Sequence, residues 1–197
     1  MRLILASIVG TAIVFAWGGL SWMVMDLWSN DLRELPNADA LMPAIKANVG
    51  ETGAYAFPPM VESEGVSPEE AREAWDQQCA EGPVGVLLVR PDGADTASPS
   101  MFIVGILLEF AGAMLLAVVL ATAARAGHGP MGRMAIGVAI VGFAVIAGVL
   151  VPSNFMMNPA GWVRAMAGDL AIGWGLAVLA ISIIVRAPRT GGRLGRS

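Results

Sequence analysis

Four apolar runs, at residues 3–25, 101–124, 131–151 and 162–186, constrain this chain more than any other feature of its sequence. Each is near the length of about 20 residues that an α-helix needs to cross about 30 Å of hydrocarbon. Lipid offers no hydrogen bonds to an exposed backbone, so uninterrupted runs of this length predict spanning helices. Composition agrees: the 197 residues are 56% hydrophobic and 14% charged, which is more apolar surface than a water-soluble domain of this length buries. The first run follows Arg2 as a secretory signal would, but it continues through Trp17, Trp22 and Met25 without a small-x-small cleavage site. It predicts an uncleaved anchor.

Charge sets the expected orientation. Arg125 and Arg133 flank the short connection between the second and third runs, and Arg186, Arg189, Arg193 and Arg196 crowd the C-terminus. An excess of basic residues marks the cytoplasmic side. Both termini are therefore expected inside a bacterial inner (cytoplasmic) membrane crossed four times, with residues 26–100 in the periplasm. Trp22, Trp28 and Trp162 then fall near the opposite boundary, where indoles anchor at the headgroup level. The expected fold is a membrane all-α chain: a four-helix transmembrane bundle with a small α+β extracytoplasmic domain inserted between spans 1 and 2. Its divisions are helix 1 at residues 1–25, the periplasmic α+β domain at 26–100, helices 2–4 at 101–186 and a basic cytoplasmic tail at 187–197.

Residues 26–100 hold 14 of the chain's 16 carboxylates, with Pro and Gly punctuation, so they form a separate polar unit. A helix is expected from near Asn37, its start delayed or its axis kinked by Pro43. A second is framed by Ser67 as N-cap, Pro68 at the first position, Glu69 and Glu70 in the first turn, and Gly82-Pro83 as the stop. Val84 to Val89 reads as a strand ended by Pro91, Asp92 and Gly93, with Ala54 to Phe57 as its partner. The acidity is that of a solvated face, and the carboxylates lack the spacing of a calcium loop.

Two carboxylates interrupt the spans, and an ionisable group at membrane depth is costly enough to mark a functional candidate. At about 1.5 Å per residue, Glu109 lies about 12 Å and Asp169 about 6 Å inside the apolar cores. Glu109 shares a helix face with Gly105, Gly112, Ala113, Leu116 and Ala117, and Asp169 with Ala165, Gly173, Ala177 and Ala180. Faces of small residues let membrane helices approach closely, so both acids are expected to point inward. Ser7, Thr11, Val14, Gly18 and Ser21 form a matching seam on span 1. Glu109, Asp169, Ser7 and Thr11 are thus the candidate buried polar site. It either moves a proton or cation, or Glu109 simply hydrogen-bonds a neighbouring helix. Arg164 lies about 140° around the helix from Asp169 and is expected to meet headgroups or the outer domain.

The remaining features exclude more than they suggest. One cysteine (Cys79) and one histidine (His128) are too few for an intrachain disulfide or the usual zinc, iron–sulfur or bis-histidine haem sites. No metal or other cofactor is expected, no nucleic-acid surface, and no catalytic triad or dyad. Cys79 reads as a packed small hydrophobe, His128 as a turn residue, and the twelve methionines as core filling.

Four short motifs, Trp17-Gly-Gly-Leu-Ser-Trp-Met, Glu51-Thr-Gly-Ala-Tyr-Ala-Phe-Pro, Val89-Arg-Pro-Asp-Gly and Asp169-Leu-Ala-Ile-Gly-Trp, occur in this order. Together they resemble a family of small four-span bacterial inner-membrane proteins. The resemblance implies that topology and a bacterial origin, and no reaction. The expected function is a non-catalytic accessory, assembly or scaffolding subunit of a larger inner-membrane complex, for instance a bioenergetic one. The alternative is a small oligomeric proton- or cation-coupled transporter using Glu109. Expected partners are membrane lipids and other membrane protein subunits, and a homo-oligomer is compatible with both readings.

Overall fold

The computed structural model describes residues 1–60 and 65–185. The basic tail at 187–197, and Arg186 before it, lie outside the described residues. In chain order the elements are α1 (Arg2–Gly19), a π-helical turn (Leu20–Val24), α2 (Ala38–Asn48), β1 (Gly53–Phe57), α3 (Pro68–Glu81), β2 (Gly85–Val89), α4 (Pro99–Arg125), α5 (Pro130–Val145), a second π-helical turn (Ile146–Leu150), α6 (Val151–Phe155) and α7 (Ala160–Ile184). They divide into two compact units. One comprises residues 1–33, 97–152 and the chain from Pro159, and the other residues 34–96 and 153–158. Composition placed residues 26–33 in the polar domain, but they cluster with the long helices.

Four continuous helices, Arg2–Val24, Pro99–Arg125, Pro130–Phe155 and Ala160–Ile184, are long and apolar enough to cross a membrane. Pro99 and Pro130 sit at the first helical turn, where the missing N–H has no intrahelical partner to lose. Asp26, at φ 48°, and Gly127, at φ 92°, turn the chain into the left-handed region just past the first span and α4. In the bundle, α1 packs on α4 and α7, and α7 packs on α5. The core is Ala6, Ala113, Leu116, Ala117, Leu120, Val141, Ala177, Val178, Ile181 and Val185. The faces expected to pack do pack: Ala113, Leu116 and Ala117, Ala165, Gly173 and Ala177, and Ser7, Thr11 and Ser21 are all buried. Alanine and glycine bring the backbones close, while Leu5, Ile8, Leu107, Leu115 and Phe143 remain on the outside, as lipid contact requires.

Arg133 departs from the loop position its charge suggested. Its side chain folds inward and is only 5% exposed. Nε and one terminal nitrogen donate to the Ser182 carbonyl at 3.0 and 2.8 Å, and the other terminal nitrogen donates to the His128 carbonyl at 2.9 Å. Ser182 lies in the last turn of α7, where carbonyls lack intrahelical donors and the helix dipole favours a cation. The guanidinium thus closes α7 and ties it to the start of α5.

The second unit is a two-stranded sheet with two helices. β1 and β2 pair antiparallel, from Gly53 opposite Val89 to Phe57 opposite Gly85. α2 neither starts late nor waits for Pro43, which sits inside it. The proline's missing N–H falls within the second turn, so the helix loses one bond there and is not broken. Ala71, Trp75 and Cys79 form the half-buried stripe of α3, and Trp75 Nε1 donates to the Pro58 carbonyl just past β1 at 3.0 Å. No side chain of residues 34–96 is fully buried among the described residues.

α3 begins with the capping arrangement its sequence spelled. The Glu70 N–H donates to Ser67 Oγ at 3.2 Å, and the Ser67 N–H and hydroxyl donate to Glu70 Oε2 at 2.9 and 2.8 Å. The Ser67 N–H first, and its hydroxyl second, hold the Glu70 carboxyl below the ordinary carboxylate range. A depressed folded pKa contributes stability above the unfolded value of about 4.3, and that contribution is lost as pH falls through the folded value. In a carbon NMR titration the Glu70 carboxyl should therefore move at lower pH in the wild-type protein than in a Ser67→Ala variant. The same midpoint in wild type and Ser67→Ala would mean the cap does not persist in solution.

Candidate functional site

A half-open cavity of about 430 Å³ lies among the long helices and draws its wall from all four of them. α1 supplies Val14, Trp17 and Gly18, and the first π-helical turn supplies Trp22. α4 supplies Glu109, the second π-helical turn Val149, and α7 Met166, Asp169, Leu170 and Trp174. Both π-helical turns therefore contribute to it, which is where such local rewinding of a helix is often found. No single span makes this site, because each contributes one or a few positions.

Two glycines explain how the indoles reach it. A Cβ on Gly112 would stand 2.6 Å from Trp174 Cη2, and one on Gly173 would stand 2.8 Å from Trp17 Cδ1. Each ring occupies the space a side chain would take on the facing helix, so the small-residue faces are filled by tryptophan and not by backbone alone. Trp28 fills a third such place over Gly168, at 2.8 Å, and its ring centroid lies 6.4 Å from that of Trp22. Trp22 and Trp28 are both half-buried.

The two carboxylates meet the same cavity but are held differently. Ser21 Oγ donates to Asp169 Oδ1 at 2.7 Å, with a longer approach of 3.3 Å to the Gly18 carbonyl. Glu109 Oε2 is buried and has no hydrogen-bond partner, and the same is true of Trp17 Nε1. Two buried polar atoms are thus left without partners, which is expensive in a low-dielectric surrounding. Because α7 is helical from Ala160, Asp169 lies about 14 Å along it and Glu109 about 15 Å along α4.

Ser7 and Thr11 stand apart from this group. Ser7 Oγ donates to the Leu3 carbonyl at 2.9 Å and touches Met114 Sδ at 3.4 Å, and Thr11 Oγ1 donates to the Ser7 carbonyl at 2.8 Å. Their hydroxyls satisfy the backbone of their own helix, as hydroxyls in apolar helices often do. Ser21 is the seam residue that reaches a carboxylate. Arg164 pairs with Asp31, Nη2 to Oδ1 at 2.6 Å, beyond the cavity wall. Among the described residues no group of three or more His, Cys, Asp or Glu side chains is placed to hold a metal ion.

These features define a class: a helical protein with four helices able to span a membrane and a two-carboxylate, tryptophan-lined cavity among them. No family model matches the chain, no curated protein matches it, and no solved structure matches it.

Proposed function

We propose that the chain is a non-catalytic accessory, assembly or scaffolding subunit of a larger complex in a bacterial inner membrane. In this reading both termini are cytoplasmic and residues 26–100 are periplasmic, on the strength of the exposed Arg125 and the basic tail. The observation that carries it is the unit of residues 34–96. Among its described residues no side chain is fully buried, while Leu88 on β2 is 75% exposed and Met42 on α2 is 57% exposed. A unit of this size without a core of its own gains stability from a surface it meets. A two-stranded sheet also leaves one backbone edge of each strand unpaired, an invitation to another chain.

The proposed occupant is another protein subunit of the same complex. Full-length protein isolated from its native membrane in mild detergent should elute with other polypeptides in fixed stoichiometry, and Leu88→Asp should release it. Wild-type protein that isolates alone as a monodisperse monomer would overturn the proposal.

The second reading, a small oligomeric proton- or cation-coupled transporter, is favoured by the position of Glu109 in the cavity. The path onward toward the C-terminal end of α4 is apolar, however: Leu116, Leu120, Val178 and Ile181 close it. The Ser7 and Thr11 hydroxyls on that side are turned to their own helix. A proton or ion leaving the cavity in that direction meets no polar group to carry it.

A further inference from the structure

We infer that the outer edge of β1 is a docking edge for an extended segment of a partner protein, apolar at alternate positions and basic at both ends, which adds to the sheet as a third strand. The inference rests on the subunit reading above and names its mode of contact. It begins from the backbone. In an antiparallel pair every second residue of each strand turns its N–H and C=O away from the other strand. Among the described residues neither β1 nor β2 makes a backbone hydrogen bond beyond their own pairing, so both outer edges are open to a third strand.

The side chains favour the β1 edge. Tyr55 and Phe57 share one face of the strand, and both rings are directed away from that edge. A Cβ on Gly53 would stand 3.2 Å from Tyr55 Cε2, and one on Gly85 would stand 2.9 Å from Phe57 Cζ. The tyrosine thus lies back along its own strand, where its hydroxyl donates to the Glu51 carbonyl at 2.7 Å, and the phenylalanine leans across to β2. On the opposite face β1 carries Ala54 and Ala56, paired with Leu88 and Val86. These alanines leave room at the edge, while Leu88, 75% exposed, and Val86, 42% exposed, form an apolar floor one strand further in. Apolar side chains placed beside Ala54 and Ala56 by an incoming strand would extend that floor.

Charge selects the occupant. Residues 34–96 carry 12 carboxylates against 3 basic side chains, and exposed acids mark both ends of the ladder. Glu51 lies just before β1, and Glu81 shares a groove of about 320 Å³ with Phe57, Pro58 and Pro83 at the other end. A lysine or arginine there lays its stem on the ring and the prolines and brings its charge toward Glu81. The same acids disfavour other occupants. An anionic bilayer surface repels the unit, and two copies paired antiparallel through β1 would bring Glu51 of each toward the Glu81 end of the other. The chain's own basic tail lies across the membrane in the proposed topology.

The test uses the full chain in phosphatidylcholine nanodiscs and a fluorescent peptide matched to the five residue pairs of the ladder. In it alternating valine and threonine are flanked by a lysine at each end, and anisotropy is compared with that in empty discs. This peptide should bind saturably, and the same peptide with glutamate ends about tenfold more weakly. Two N-methylated forms, each blocking the amides of one peptide edge, separate strand addition from charge alone. Only one edge can face β1, so one form should bind like the parent and the other about tenfold more weakly. Glu51→Lys combined with Glu81→Lys should reverse the preference in favour of glutamate ends. Both positions are exposed, and circular dichroism confirms that the fold is retained.

Equal binding of the lysine-ended and glutamate-ended peptides overturns the inference. So do equal effects of the two N-methylation patterns, a preference that the double replacement leaves unchanged, or no binding of the lysine-ended peptide. Each of these results leaves the subunit reading standing if the wild-type protein still co-isolates with other polypeptides. Isolation as a lone monomer removes that reading whatever the peptides do.

Discussion

Replacing Arg133 with Met is expected to destabilise the bundle by about 2 kcal/mol, because the change strips the donors from the buried Ser182 carbonyl and one from the more exposed His128 carbonyl. Ser182 loses both of its side-chain hydrogen bonds and His128 loses one. Met fills similar volume, so the cost is in polar satisfaction and not in a cavity. The loss of the cation near the α7 C-terminus adds a dipole term of about 0.3–1 kcal/mol. Arg133→Lys should recover part of the loss, since an ammonium keeps the charge but not the planar fork that places two N–H groups on one oxygen. Arg125 supplies the control: it is exposed and basic on the same connection, and Arg125→Met should be close to neutral. Thermal unfolding in detergent, followed by circular dichroism, measures all three. Equal behaviour of Arg133→Met and Arg125→Met would show that the buried guanidinium contributes nothing to the fold.

Gly137→Val is the second large effect. A Cβ there would stand 2.5 Å from Val178 Cγ1 and 2.9 Å from Cγ2, and Val178 is fully buried. A β-branched neighbour in a helix has one strongly preferred rotamer and cannot swing aside, so α5 must back away from α7. Overpacking of this kind costs about 1–3 kcal/mol, and the rigid neighbour places this case at the upper end. It should also loosen the Arg133 contact to Ser182, since both hold α5 against α7. Gly142 is the comparison within the same helix, because a Cβ there meets nothing within 4 Å. Gly142→Val should cost less than about 0.5 kcal/mol. The same unfolding assay separates the two, and a Gly137→Val protein as stable as Gly142→Val would contradict the packing described.

The contrast between what hydropathy and spacing disclosed and what they did not is physical. A long apolar run has one solution in lipid, so the spans were visible to within a few residues. Helical periodicity places Ala113, Leu116 and Ala117 with Glu109, and Ala165, Gly173 and Ala177 with Asp169, on inward faces without any knowledge of partners. The Ser67 cap with Pro68 and Glu70, and the hairpin of Ala54–Phe57 with Val84–Val89, are local chemistry and were equally readable. What periodicity cannot tell is which side chain enters a small-residue face. Nothing local says that Trp17 covers Gly173 or that Trp174 covers Gly112, and the cavity is made by those choices. Arg133 shows the same limit for charge. Counting arginines near a loop gives a side of the membrane, but a long side chain can fold back onto a helix end. Ser21 was visible as a seam residue, yet its role depends on Asp169, which lies 148 positions away.

Glu109 and Asp169 share the wall of one cavity among the long helices, and thiol labelling tests this directly. In a Cys79→Ser background, Val149→Cys places a single thiol on the cavity wall. A cationic thiosulfonate should then react about tenfold faster than an anionic one of similar size, after correction for their reactivity with a free thiol. Adding Glu109→Gln and Asp169→Asn together should erase the preference. Equal rates for the two reagents, or a preference that survives the double replacement, would contradict an acidic cavity at this position.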